Sequence, residues 1–222
     1  MKILIKTLSV ALAVSIPFTC FCIGVNIVTR MPDVYQYEFK ATDALKSFDF
    51  NKNNDEMGEF ISDFMIGKEK QFQIIAGDED RPQAVFSENE MLAAATARKY
   101  VNIIAIVGLF FSILTVVSIV VMKRYELDKE IRKKFNMGAI IYAGLLLTYL
   151  IGFFIMAKTG HYMCNMLSYT PMEEDVLPGI MTAGLTTRIY FSIAGVSTIV
   201  IAILGYIIYK LTAPKRIFSR NY

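Results

Sequence analysis

The chain has 222 residues, the size of one ordinary domain, but its composition is not that of a soluble domain. Hydrophobic residues make up 55% of it and charged residues 19%, against about 25% charge in a typical soluble domain; the mean hydropathy is +0.45. One His and three Cys argue against a multi-histidine metal site, a Cys-rich zinc site or a disulfide scaffold. A net charge of +3 argues against nucleic-acid binding, and we expect no metal or other cofactor.

Four long apolar runs predict membrane-spanning helices over residues 1–28, 100–122, 137–157 and 189–211. Each can cross a hydrocarbon core of about 30 Å, which takes about 20 helical residues. The first run opens with a basic segment, as a signal peptide does, but it exceeds the usual apolar length of about 7–15 residues. We therefore predict an all-α membrane protein, a four-transmembrane-helix bundle with a small extracytoplasmic domain inserted between helices one and two.

Flanking charges predict the orientation of these spans. Basic residues are concentrated at the start of the first span, in the connection 123–136 and in the tail 212–222, with one more at the end of the fourth span: Lys2, Lys6, Lys123, Arg124, Lys129, Arg132, Lys133, Lys134, Lys210, Lys215, Arg216 and Arg220. Basic flanks stay on the cytoplasmic side. We therefore expect a plasma-membrane protein with both termini in the cytoplasm, a domain over 29–99 outside the cell and a second outer loop over 158–188.

The predicted spans carry no charged side chain or histidine at depth, which argues against an ion-coupled transporter or pump. Each span has a stripe of small residues at helical spacing, which favours close packing of the helices. In the third span this stripe is Gly144, Thr148 and Gly152.

The first outer domain contains an amphipathic helix over residues 53–67, which Asn54 or Asp55 can cap. Its apolar face recurs at helical spacing and consists of Met57, Phe60, Ile61, Phe64 and Met65. We expect this face to pack onto the outer mouth of the bundle.

Ser87 and Glu90 form a capping box that opens the next helix. No Gly or Pro interrupts this helix before the second span, so we predict that it runs unbroken into the membrane. Arg98 and Lys99 then lie at the outer membrane border. Their charged groups can reach into the headgroup region or bind a lipid phosphate.

The second outer loop carries the only histidine, His161, together with Cys164 and Asp175. A histidine at a membrane border is either a polar interfacial residue or a general base, and a general base needs a carboxylate within hydrogen-bond reach. Asp175 and the acids of the first loop are candidates for that partner. Cys164 is either a free thiol or forms an intermolecular bridge.

The four-span layout and two motifs resemble the Lit-type family of lipoprotein intramolecular transacylases. The family carries a segment like Phe-Ser-x-x-Glu-x-x-His-Met-x-Asp-Val-Lys before its second span. Here Phe86, Ser87 and Glu90 match, Arg98 keeps the basic character, and Ala93 and Thr96 replace the His and the Asp. The family's second outer loop has a His, an Asp-Pro, an Asp and a Leu-Pro, and the same order occurs here in His161, Pro171, Asp175 and Leu177-Pro178.

The resemblance implies an enzyme that moves an acyl chain within the lipid-modified N-terminal Cys of a lipoprotein, using two histidines. With Ala93 at one of these positions, we expect a catalytically degenerate relative that handles lipid or lipoprotein. Its candidate catalytic residues are His161, Glu90 and Asp175, and its candidate lipid- or phosphate-binding residues are Arg98 and Lys99. The alternative is a non-enzymatic accessory subunit whose extracytoplasmic domain binds another membrane protein.

Overall fold

The computed structural model describes residues 2–43, 45, 52–76, 83–159, 169–172 and 174–213. In chain order its elements are α1 (Lys2–Arg30), α2 (Pro32–Thr42), α3 (Asn54–Ile66), β1 (Ile75–Ala76), β2 (Gln83–Ala84), α4 (Glu88–Arg124), α5 (Asp128–Thr159), α6 (Leu177–Ile180) and α7 (Ala183–Leu211). Four of these helices, α1, α4, α5 and α7, are long and apolar enough to cross a membrane. The chain is thus a helical membrane protein.

Helix α1 is the central helix, because it packs against α4, α5 and α7. Its contact with α4 is close where small residues meet. The Thr115 hydroxyl donates to Ser15 Oγ at 2.8 Å, and Thr19 Oγ1 lies 3.3 Å from Thr115 Oγ1. A Cβ added at Gly108 would lie only 2.7 Å from the Cβ of Cys22. Small side chains therefore allow these two backbones to approach, as predicted.

The small-residue prediction is wrong for α5. A Cβ at Gly144 or at Gly152 would meet no atom of the described structure within 4 Å. A different face of α5 packs inward, led by Tyr142, whose hydroxyl lies 2.8 Å from Ser197 Oγ and 2.9 Å from Thr198 Oγ1 of α7. A buried hydroxyl needs hydrogen-bond partners, and Tyr142 finds them on α7.

Helices α2 and α3 cover one end of the long helices, which we call the α2–α3 end. The apolar face of α3 is buried there in one cluster with residues of α1, α4 and α7, as its spacing predicts. Its N-cap is Asn53 and not Asn54 or Asp55. The Asn53 side chain accepts from the amides of Asp55 and Glu56, and Glu56 accepts from the Asn53 amide, all at 2.9 Å. The correct cap is the residue three positions before a Glu, which completes a capping box.

A two-residue antiparallel ladder, absent from the all-α prediction, joins β1 to β2. The Gln73 side chain fastens it, since its amide donates to the carbonyl of Phe86 at 2.8 Å and its oxygen accepts from the Phe86 amide at 2.9 Å. The ladder places the ring of Phe72 4.7 Å from that of Phe86. These rings extend the apolar layer beneath α3.

An ion pair fastens α2 to the start of α7. Arg188 Nε lies 3.0 Å from Oε2 of Glu38, whose side chain is 4% exposed. The Arg188 guanidinium also lies over the ring of Tyr37, 3.9 Å from its centroid. Arg188 lies within α7 and not at the end of a loop as predicted. Nothing in the spacing of residues 38 and 188 indicates that they meet.

Candidate functional site

An apolar cavity of about 300 Å³ lies at the α2–α3 end, between the long helices and the layer that covers them. This volume is at the lower end of the range typical of ligand pockets. Side chains from α1, α3, α4 and α7 line it, including Val25, Phe64, Val101 and Ile189, and none of its described lining residues is charged. We call this space the central cavity.

Small side chains on α4 create the space. Ala94 and Ala97 face the central cavity from the same side of the helix as Val101 and Ile104. Larger neighbours on α3 and α6 close the cavity but do not fill the volume beside the two methyl groups. The sequence shows that this part of α4 is rich in Ala, but it does not indicate that α3 and α6 cover these residues.

The buried hydroxyl of Tyr35 at the cavity wall already has a hydrogen-bond partner within the protein. The buried Tyr35 side chain donates its hydroxyl to the carbonyl of Thr29 at 2.7 Å. Burial raises the pKa of Tyr35, so the phenol stays neutral. The cavity therefore suits an apolar guest and offers no charge to bind.

A second, open pocket of about 510 Å³ contains Ala93 and Thr96, the positions at which the resemblance expects His and Asp. Ala93 contributes a buried methyl group, and the Thr96 hydroxyl donates to the carbonyl of Leu92 at 2.8 Å. The opposite wall is formed by residues 169–172. His161 and Cys164 precede this wall in the chain and lie outside the described residues. Among the described lining residues there is no imidazole or carboxylate.

Glu90 is buried and has backbone partners on both carboxylate oxygens. Its Oε2 accepts from the amide of Ser87 at 2.7 Å, which completes the predicted capping box. Its Oε1 accepts from the amide of Leu177 at 2.5 Å. Glu90 thereby joins the first turn of α4 to the start of α6.

Asp175 lies close to the same helix start. Its carboxylate accepts from the hydroxyl of Tyr169 at 2.5 Å, the amide of Met172 at 2.8 Å and the hydroxyl of Ser87 at 3.1 Å. These hydrogen bonds, that of Tyr169 above all, hold the pKa of Asp175 below its usual value. Ser87 thus contacts two of the three candidate catalytic residues, Glu90 and Asp175.

Arg98 and Lys99 have different surroundings. Arg98 Nη1 donates to the carbonyls of Glu69 at 2.9 Å and Phe64 at 3.3 Å, and its guanidinium lies 4.6 Å from the centroid of the Phe64 ring. It therefore satisfies carbonyls at and just beyond the C-terminal end of α3, where a positive charge is favourable. Lys99 is exposed.

No family model and no curated protein sequence matches the chain. Solved structures do match: those of the membrane-integral lipoprotein intramolecular transacylase Lit from Bacillus cereus. A variant with a histidine changed to arginine gives a TM-score of 0.64 at 17% identity, over 94% of this chain and 93% of that one. A second structure gives 0.62 at 16% identity, over 96% and 97%. A histidine-to-alanine variant gives 0.64 at 16% identity, over 94% and 95%. The chain therefore shares the fold of Lit along nearly its whole length, which confirms at the level of fold the resemblance read from its sequence.

Proposed function

We propose that this protein handles lipid or lipoprotein in the plasma membrane by holding an acyl chain in the central cavity, without the two-histidine chemistry of a transacylase. The observation that carries the proposal is the cavity itself, with its volume of about 300 Å³ and uncharged described lining. Each methylene group that leaves water for such a space contributes about 0.8 kcal/mol. The acyl chain is the apolar component that a membrane supplies in abundance.

The side chains around Ala93 support a protein that binds rather than catalyses. General acid–base catalysis contributes about 10²–10⁴-fold, and it needs a group that can give or take a proton at the reacting atoms. A methyl group at position 93 cannot do so. Glu90, the substitute considered from the sequence, has both oxygens engaged by backbone amides.

Both termini are proposed to lie in the cytoplasm, which places the α2–α3 end and the central cavity at the outer leaflet. Residues 29–99 then form the extracytoplasmic domain. Arg98 and Lys99 would lie at headgroup level. Arg98 is engaged by the carbonyls of α3 and the residues after it, whereas Lys99 is exposed. Lys99 is therefore the better candidate to bind a lipid phosphate.

Native mass spectrometry after gentle extraction tests lipid binding. We expect wild-type protein to retain lipid and Ala97→Phe, which fills the central cavity, to lose it. Ala95→Phe is the matched control, because Ala95 is exposed on the same helix and does not line the cavity. Retention of a protein partner without lipid would favour the accessory-subunit alternative.

An acyl-migration assay on a model lipoprotein tests the absence of catalysis. We expect no turnover above the background of empty vesicles. Robust turnover that disappears in His161→Ala would show that one imidazole suffices, and the non-catalytic part of the proposal would then be wrong.

A further inference from the structure

We propose that a membrane-facing groove between α1, α5 and α7 is the outer half of the acyl-chain site. One acyl chain of a bilayer lipid enters the central cavity sideways through this groove, passing between Tyr149 and Tyr190. The inference rests on the proposed function and adds the route and the residues that control it.

The groove has a volume of about 380 Å³ and apolar walls from three of the four long helices. Phe18 of α1 and Leu145 and Phe153 of α5 line it. Gly152 of α5 also lines it, at a point where an added Cβ would meet nothing within 4 Å. We call this feature the side groove.

Three aromatic side chains, Phe21, Tyr149 and Tyr190, line both the side groove and the central cavity. We call them the ring layer. Tyr149 stacks on Tyr190, with ring centroids 4.8 Å apart and planes at 15°, and Phe21 meets Tyr149 edge to face at 5.0 Å. A single layer of rings therefore separates the two spaces.

The hydroxyls of the ring layer make one long hydrogen bond to an oxygen and one hydrogen bond to a sulfur. Tyr149 donates to the carbonyl of Tyr190 at 3.4 Å, and Tyr190 donates to the sulfur of Met156 at 3.5 Å. By comparison, the hydroxyl of Tyr35, which also lines the cavity, donates its hydrogen bond at 2.7 Å. A hydrogen bond between oxygens weakens as it lengthens beyond about 3.2 Å, so the hydroxyl of Tyr149 contributes little to holding its ring in place. The ring layer is therefore held mainly by the contacts between its rings.

The location of the side groove identifies its occupant. Its walls belong to helices long and apolar enough to cross a membrane, so the space beside it is filled by lipid tails and not by water. A lipid can slide one chain into the side groove while its headgroup stays at the interface. The side groove and the central cavity then form one apolar path, with the chain end deepest in the protein.

The test uses the full chain in phosphatidylcholine vesicles that contain a phosphatidylcholine with a photoreactive diazirine at the end of one acyl chain. After illumination, adducts are mapped by peptide mass spectrometry. We expect adducts on Ile61, Met65 and Ile180, which line the central cavity and not the side groove. In Gly152→Phe, whose new ring fills the side groove, the yield at these residues should fall about tenfold, equivalent to about 1.4 kcal/mol.

Gly144→Phe is the matched control. Gly144 lies on the same helix and also has open space at its Cβ position, but it does not line the side groove. It should keep the wild-type adduct yield. Thr148→Phe gives a second blocked variant, because Thr148 is exposed and lines the side groove.

The test distinguishes failure of the side-groove route from failure of the proposed function. Unchanged adduct yield at Ile61, Met65 and Ile180 in both blocked variants would overturn the side-groove route while leaving the cavity as a lipid site. Labelling of the exposed Ile106 on α4 with no adduct at the three cavity residues in wild-type protein would overturn the proposed function itself.

Discussion

Ser87 is the residue at which the helix start and the loop before α6 meet. Its hydroxyl accepts from the Glu90 amide at 3.3 Å and donates to Asp175 at 3.1 Å, and its own amide donates to Glu90 at 2.7 Å. The sequence motif predicted the first and third contacts, because they lie within four residues. The bond to Asp175 joins residues 88 positions apart, and no local pattern indicates it.

Replacing Glu90 with Ala should lower the free energy of unfolding by about 1–3 kcal/mol, since the buried amide of Leu177 and the amide of Ser87 would lose their acceptor. Thermal unfolding in detergent measures this. Glu88→Ala is the control, because Glu88 is exposed in the same helical turn and should cost about 0.5 kcal/mol or less. A Glu90→Ala protein as stable as the control would contradict a structural role for this carboxylate.

Asp175 should make the attachment of the loop to α4 sensitive to acid. Its pKa in the folded state is lowered, so its hydrogen bonds contribute fully above the unfolded value of about 3.9 and are lost as the pH falls through the folded value. Amide exchange at Met172, corrected for the intrinsic rate, should therefore accelerate below about pH 4.

Asp175→Asn should remove most of this pH dependence, and the exposed Glu174→Gln should preserve it. Acid-induced opening of equal size in Asp175→Asn would assign the effect to another group.

At the scale of elements, the contact between α1 and α4 depends on the absence of a side chain at Gly108. The nearest atom to an added Cβ there is the Cβ of Cys22, at 2.7 Å. This atom is attached directly to the backbone of α1 and cannot rotate away. An added methyl group must therefore push the two helices apart.

Gly108→Ala should destabilise the protein by about 1–3 kcal/mol through overpacking. Gly144→Ala should be neutral or stabilising by up to about 1 kcal/mol, because that position is open and Ala favours the helix. Unfolding midpoints of the two variants in the same detergent compare them directly. Equal midpoints would mean that α1 and α4 are not in close contact at Gly108.

At the scale of the whole molecule, the orientation proposed from the flanking charges predicts which residues can be reached from outside the cell. In a background with Cys20, Cys22 and Cys164 replaced, Glu59→Cys and Lys70→Cys should react with a membrane-impermeant maleimide in intact cells. Lys129→Cys should react only after permeabilisation. All three positions are exposed in the structure. The opposite pattern would reverse the orientation and place the central cavity at the inner leaflet.

The sequence by itself determined the long helices and their local signals. Apolar length predicts spans, since a bilayer core requires about 20 helical residues. The pair Ser87 and Glu90 correctly predicted the start of α4, which continues without a break to Arg124. The apolar spacing of α3 correctly predicted its buried face, because helical periodicity is a property of neighbouring residues.

Only the tertiary structure decided where these helices leave space. In the sequence, Ala94 and Ala97 belong to an ordinary Ala-rich stretch. In the folded protein, α3 and α6 cover them and leave the central cavity. In the sequence, Tyr149 and Tyr190 are aromatic residues of two separate spans. In the folded protein their rings stack and form a wall between the central cavity and the side groove. Gly144 and Gly152 share one predicted stripe, yet only Gly152 lines the side groove. Such differences arise because the packing of each helix depends on partners that are distant in the chain, and local spacing carries no information about them.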